Sequence, residues 1–105
     1  MVFMRAFAAL ADPTRAEIVA RLARGPRSVK EIVELFHISQ PSISKHLRIL
    51  RETGLVSVEP AGRERRYRLE VAPLREIDAW LERYRALWAD RLEALEAHMD
   101  GEEKP

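Results

Sequence analysis

The run Ser39-Gln40-Pro41-Ser42-Ile43-Ser44-Lys45-His46-Leu47-Arg48-Ile49-Leu50 leaves this chain few ways to fold. Ser39 is a natural helix N-cap, because its hydroxyl can accept a bond from a free N–H in the first turn. Pro41 falls in that turn, where a missing N–H costs little. Ile43, Leu47 and Leu50 then recur at i, i+4, i+7 and form one apolar stripe. Gly54 is placed to end the helix as a C′ glycine. Upstream, Ser28 and Glu31 have the spacing of a capping box. Val29, Ile32, Val33 and Phe36 give that earlier helix its own apolar face, and His37 and Ile38 alone separate it from the Ser39 cap. Two capped helices joined so tightly predict a helix-turn-helix over residues 28–53.

The side chains opposite the second helix's stripe are Ser42, Ser44, Lys45 and Arg48. Short hydroxyls permit close approach to a groove floor, and long cations reach phosphates or guanine edges. This face predicts contact with double-stranded DNA, with Gln40, Ser42 and Ser44 choosing sequence and Lys45 and Arg48 supplying affinity. After it comes Leu55-Val56-Ser57-Val58-Glu59, a strand of β-branched and apolar residues, then Pro60-Ala61-Gly62 as turn chemistry, then Arg63-Glu64-Arg65-Arg66-Tyr67-Arg68-Leu69 as the returning strand. This hairpin, residues 55–69, would be a wing whose Arg63, Arg65 and Arg66 touch the DNA backbone or minor groove. The competing reading is a solvated edge strand, since charge guards an exposed edge.

The chain has 105 residues and a formal net charge of +1, which conceals an asymmetry. Between Ser39 and Glu70 the cations Lys45, Arg48, Arg51, Arg63, Arg65, Arg66 and Arg68 outnumber the anions Glu52, Glu59, Glu64 and Glu70; beyond Val71 the acids dominate. A basic reading unit beside an acidic helix would orient the protein on a duplex. There is no cysteine, which excludes disulfides and thiolate metal sites and fits a cytoplasmic protein. No apolar run reaches membrane-spanning length and no secretory signal is visible. Neither a phosphate-binding glycine loop, a nucleophile–base pair nor a carboxylate dyad is present, so no enzyme is expected.

The chain ends predict a homodimer. A first helix over about residues 2–11 carries Phe3, Phe7 and Leu10, and Asp12-Pro13 restarts the chain as cap and first helical residue. Gly25-Pro26 stops the second helix. A last helix over residues 73–99 places Leu74, Ile77, Leu81, Tyr84, Trp88, Leu92, Leu95 and Met99 on one seam, widened by Trp80 and Leu87. Its roughly 39 Å at 1.5 Å per residue outruns the small core beneath it. Such a stripe needs another surface, most economically the same helix of a second copy, with Phe3 and Phe7 joining the interface. Trp80, Tyr84 and Trp88 read as dimer core ahead of ligand pocket. Residues 100–105 are charged, unpatterned and expected to fray as a flexible tail. His37 reads as a helix end, His46 as local packing or a phosphate contact, and His98 as a solvent-facing residue.

The stretches Ala9-Leu10-Ala11-Asp12-Pro13-Thr14-Arg15, Ile38 to Leu47, Leu50-Arg51-Glu52-Thr53-Gly54-Leu55-Val56 and the Arg-rich hairpin together resemble the ArsR family of dimeric winged-helix transcriptional repressors. The resemblance covers nearly the whole chain. It implies a mainly α fold with a small β-hairpin: four helices, a two-stranded wing and a C-terminal helix in one winged helix-turn-helix domain over residues 1–99. It further implies homodimerisation through the first and last helices on an inverted-repeat operator. Gln40, Ser42, Ser44, Lys45 and Arg48 match the family's reading helix, and Arg63, Arg65 and Arg66 its wing; Ser39, at the cap, is expected at the DNA with them. The family's thiolate sensors carry cysteines where this chain has Val33-Glu34-Leu35-Phe36-His37, and Asp90 with a single His98 does not reproduce the paired set of its zinc and nickel sensors. No metal or other cofactor is therefore expected. A non-thiolate metal site between subunits, a winged helix that binds protein in place of DNA, and an effector of unknown identity stay open at this point.

Overall fold

A computed structural model describes the backbone of residues 3–103 and the side chains of residues 3–100. Its elements run α1 (Met4–Ala9), α2 (Pro13–Leu22), β1 (Arg27–Ser28), α3 (Val29–Phe36), α4 (Gln40–Glu52), β2 (Val56–Ala61), β3 (Glu64–Leu69) and α5 (Ala72–Glu103). The fold divides into two compact units, one through Arg75 and one from Glu76 onward.

In the first unit the caps sit where the chemistry asks for them. The Asp12 carboxylate accepts from the Arg15 N–H at 3.0 Å, and Pro13 opens α2. Ser28 and Glu31 close a reciprocal capping box on α3. Ser39 caps α4 by accepting from the Ser42 N–H at 3.4 Å. His37 ends α3 in the left-handed region with φ of 54°, its N–H reaching the Val33 carbonyl. At the other end of α4, Gly54 takes φ of 81°. Its N–H bonds the Arg51 carbonyl while the Leu55 N–H bonds that of Leu50. This double closure satisfies two orphan carbonyls and turns Leu55 inward. Ile18, Ile32, Ile43, Leu47, Leu50 and Leu55 are fully buried and make the centre of the core.

The hairpin carries an extra strand. The sheet has order β1-β3-β2, all antiparallel, with Val56 opposite Leu69 and Ala61 opposite Glu64 in the hairpin, and Arg27 opposite Tyr67 and Ser28 opposite Arg66 on the other edge. The expected two-stranded wing is thus part of a three-stranded sheet. The cause is local: an N-cap residue is extended, and Ser28 (φ −78°, ψ 162°) serves as cap and strand at once. Two residues are too few for any periodicity to show.

The first helix is shorter than expected, Met4–Ala9, and Val2 lies outside the described residues. Of the two phenylalanines expected at a dimer interface, Phe3 is buried within the single chain and Phe7 is exposed.

In the second unit, from Glu76, α5 continues as helix to Glu103. It does not stop at Met99; Lys104 and Pro105, the end of the expected tail, lie outside the described residues. Arg85 bonds both Asp78, at 2.6 Å, and Glu82 along the helix. The Asp78 bond first, then the Glu82 charge, hold the Arg85 guanidinium above its ordinary value. Trp80 and Tyr84 pack tilted with ring centroids 5.2 Å apart, and the Arg91 guanidinium lies over the Trp88 ring. Among the described residues no helix is long and apolar enough to cross a membrane.

Candidate nucleic-acid interface

Helix α4 is held from below and open above. Ile43, Leu47 and Leu50 fix it in the core, and Ile49 and His46 are half-buried on its margin. Arg15 fastens that margin. Its Nε donates to the Ala9 carbonyl at the end of α1 at 2.8 Å, and its Nη1 lies 3.5 Å from Nδ1 of His46 and 4.0 Å from the Asp12 carboxylate. One guanidinium so ties α1, the α2 cap and α4 together. His46 has its packing role here, beside Arg15. The Arg15 N–H bond, outweighing burial, keeps the Asp12 carboxyl below its ordinary value.

At about 100° of rotation per residue, the exposed positions of α4 sort into lanes. Gln40, Ser44 and Arg51 lie along one flank, Pro41, Arg48 and Glu52 along the middle, and Lys45 just past it; all are exposed. Ser42 falls on the far flank beside Ile49, and its hydroxyl accepts a bond from the Ser39 hydroxyl at 3.1 Å. All six residues expected on the reading helix are exposed: Gln40, Ser44, Arg48 and Lys45 run across the open face, and Ser42 lies about 60° beyond Lys45, its hydroxyl paired with that of Ser39 at the start of the helix. Glu52 stands in line with Arg48 about one turn later. A carboxylate there repels a phosphate backbone, so the face favours an approach led by its N-terminal half, as reading helices make.

The wing separates its arginines by use. Arg63 and Arg65 are exposed at the tip. Arg66, expected at the DNA, is engaged within the chain: its Nη2 donates to the Pro26 carbonyl at 3.2 Å and to the Glu31 carboxylate at 3.4 Å. It clamps β3 to the start of α3. Arg68 pairs diagonally with Glu59 across the hairpin at 3.5 Å. Glu31 feels both sides of this arrangement; the Ser28 backbone N–H chiefly, and Arg66 with it, hold its carboxyl below the ordinary value.

A pattern emerges among the cations. Arg15, Arg21, Arg66, Arg68 and Arg85 are committed to acids of the same chain. Among the described residues Lys45, Arg48, Arg51, Arg63 and Arg65 have no such partner. Every cation of α4 and of the wing tip belongs to this unpaired group, which also takes in Arg5, Arg24, Arg27, Lys30, Arg75, Arg83 and Arg91 elsewhere on the described surface. A surface that must release counterions from a polyanion has to keep its own cations unneutralised. Arg51 carries no motif of its own, and its place on the Ser44 flank follows from the helical repeat alone.

The seam of α5 divides as well. Ile77 is buried and Leu74 and Trp80 are half-buried in the single chain, so Ile77 offers little to a partner. Leu81, Tyr84, Leu87, Trp88, Leu92, Leu95 and Met99 are exposed, Trp88 at 58%. Among the described residues no three of His, Cys, Asp and Glu are grouped to hold a metal ion.

Residues 12–58 match the family model described as "Bacterial regulatory protein, arsR family". The chain is 39% identical over 98 residues to the HTH-type transcriptional regulator Rv2034 of Mycobacterium tuberculosis, covering 93% of this chain and 89% of that protein. It is 37% identical over 75 residues to the transcriptional repressor SdpR of Bacillus subtilis, covering 71% of this chain and 83% of that one. Among solved structures, an ArsR-like transcriptional regulator from Rhodococcus sp. RHA1 superposes with a TM-score of 0.74 at 38% identity, over 91% of each chain. The homodimeric winged helix-turn-helix DNA-binding domain of a Mycobacterium bovis regulator superposes at 0.65 and 28% identity, over 80% of this chain and 81% of that one.

Proposed function

The chain belongs to the ArsR family of bacterial DNA-binding transcription regulators, and on that premise we propose that it represses transcription as a homodimer on an inverted-repeat operator. The observation that carries the reading is the unpartnered open face of α4, with Lys45 and Arg48 exposed beside Gln40 and Ser44 on a helix that Leu47 and Arg15 hold rigid. Gln40 and Ser44 choose bases; Lys45, Arg48 and the wing-tip arginines Arg63 and Arg65 meet phosphates. The exposed seam from Leu81 to Met99 is the dimer surface, since so much contiguous apolar area on one helix face needs covering. One named homodimer among the structural relatives supports homodimerisation as such.

The reading includes no resident transition metal. The chain has no cysteine, and Asp90 and His98 stand eight apart on α5, about 80° around the helix from each other. Elemental analysis of the purified protein should find less than one metal ion per chain.

Selection from a random pool of duplexes tests the reading in one experiment. The expected product is two inverted half-sites with centres separated by about one helical turn, 10–10.5 bp, or a multiple of it. A pool that fails to enrich, or a single unpaired half-site bound by monomeric protein, overturns it.

A further inference from the structure

A notch of about 150 Å³ opens between the first turn of α3 and the start of β3, lined by Ser28, Val29, Lys30, Glu64 and Arg65. We infer that a backbone phosphate of the operator seats in this notch, held between Lys30 and Arg65, so that Lys30 is a DNA-positioning residue. The inference rests on the DNA-binding reading above and extends it to a residue outside the reading helix and the wing tip.

Three observations and one docking argument lead there. The notch is rigid: β1 pairs with β3 at Ser28 and Arg66, and the next position along that antiparallel register sets Val29 beside Arg65. The Arg66 clamp on Pro26 and Glu31 holds the same two segments from the other side. Second, its cations are available: Lys30 and Arg65 are both exposed, and among the described residues neither has an acidic partner. Third, Glu31, the acid nearest the helix start, is already engaged by Ser28 and Arg66, and the Glu31 N–H is taken by the Ser28 hydroxyl. The attraction is therefore a matter of side-chain charge, two cations against the Glu64 carboxylate. Fourth, the notch lies where a phosphate strand has to run. With α4 in a major groove and the wing tip at the adjacent minor groove, the backbone that separates the two grooves crosses between the helix-turn-helix and the wing, where its first helix meets the backbone.

The test uses the full chain and the duplex recovered by the random-pool selection, with Lys30→Ala, Lys30→Arg and Glu64→Gln. Lys30→Ala should weaken binding to operator and to unrelated duplex by the same factor and make the plot of log affinity against log salt shallower by about one per protomer. Lys30→Arg should retain the wild-type slope. Glu64→Gln, which removes the opposing carboxylate, should tighten binding at low salt. Ethylation of one phosphate per half-site, at the boundary between the read major groove and the flanking minor groove, should block the wild type and be tolerated by Lys30→Ala. Lys30→Ala with an unchanged slope, beside an Arg48→Ala control whose slope is shallower, would overturn the notch and leave the repressor reading standing. Absence of any operator for the wild type would instead remove that reading itself.

Discussion

Arg48 and Arg66 carry the same charge in the same small domain, and replacing each by Ala should give opposite results. Arg48 is exposed in the middle lane of α4 with no acidic partner, and Ala suits a helix interior. Its loss removes one phosphate contact per protomer. At about 0.9 of salt slope per neutralised phosphate, a dimer loses about 1.8 from the slope. Raising salt from 50 to 200 mM should then weaken the wild type about 12-fold more than the variant, because fourfold to the power 1.8 is about 12. Arg66 is spent on the Pro26 carbonyl and Glu31. Its loss should lower the thermal midpoint while leaving the salt slope alone. Fluorescence anisotropy of a labelled operator, titrated at four or five salt concentrations, measures both. Equal flattening by the two substitutions would refute the claim that an intramolecular partner withdraws a cation such as Arg66 from the duplex.

Leu47→Ala, at a fully buried position under the reading helix, should cost about 2–5 kcal/mol in urea unfolding. Trp88→Glu changes an exposed seam residue and should yield a folded monomer by light scattering with weak operator binding; a folded dimer would remove α5 from the interface. Asp12 and Glu31 both have carboxyls held below their ordinary values in the fold, chiefly by the backbone N–H groups of Arg15 and Ser28. Groups depressed in this direction stabilise fully above their unfolded values, about pH 4, and lose that contribution as pH falls through the folded ones. An Asp12→Asn, Glu31→Gln variant should accordingly show a flatter acid limb of stability below pH 4 than the wild type, with the cap geometry retained.

What the sequence disclosed was set by short-range chemistry. The caps at Asp12, Ser28 and Ser39, the stop at Gly54 and the stripe Ile43-Leu47-Leu50 depend on residues within one or two turns of each other, and each occurs as the spacing indicated. What stayed hidden depends on partners far along the chain. Arg66 meets Pro26 forty positions away, and Arg15 meets His46 thirty-one away. No local pattern separates Arg66 from Arg65, since both are arginines on one strand. The ladder does so: successive residues point to opposite faces, and only Arg66 faces the capping box across from Ser28. Phe3 and Ile77 fit the same account. Periodicity marked them apolar and could not tell burial in their own chain from burial against a second copy.

The seam of α5 carries one more consequence of its spacing. Ile77, Trp88 and Met99 stand eleven residues apart, with Leu81 and Tyr84 in the first interval and Leu92 and Leu95 at the same offsets in the second. Eleven residues in three turns is about 3.67 per turn, close to the natural 3.6 of an α-helix and on the opposite side of it from the 3.5 of a heptad. The apolar stripe therefore runs nearly parallel to the helix axis. Two such helices can stay in register over the exposed length from Leu81 to Met99 without winding into a left-handed supercoil. Pairing of that kind relies on broad side chains at close quarters, and Tyr84, Trp88, Leu92 and Leu95 supply them. A disulfide scan along the seam, with cysteine placed singly at Leu81, Trp88, Leu92 and Leu95, would read the register. Crosslinking that falls in step with the eleven-residue repeat fits this packing, and crosslinking that follows a seven-residue repeat contradicts it.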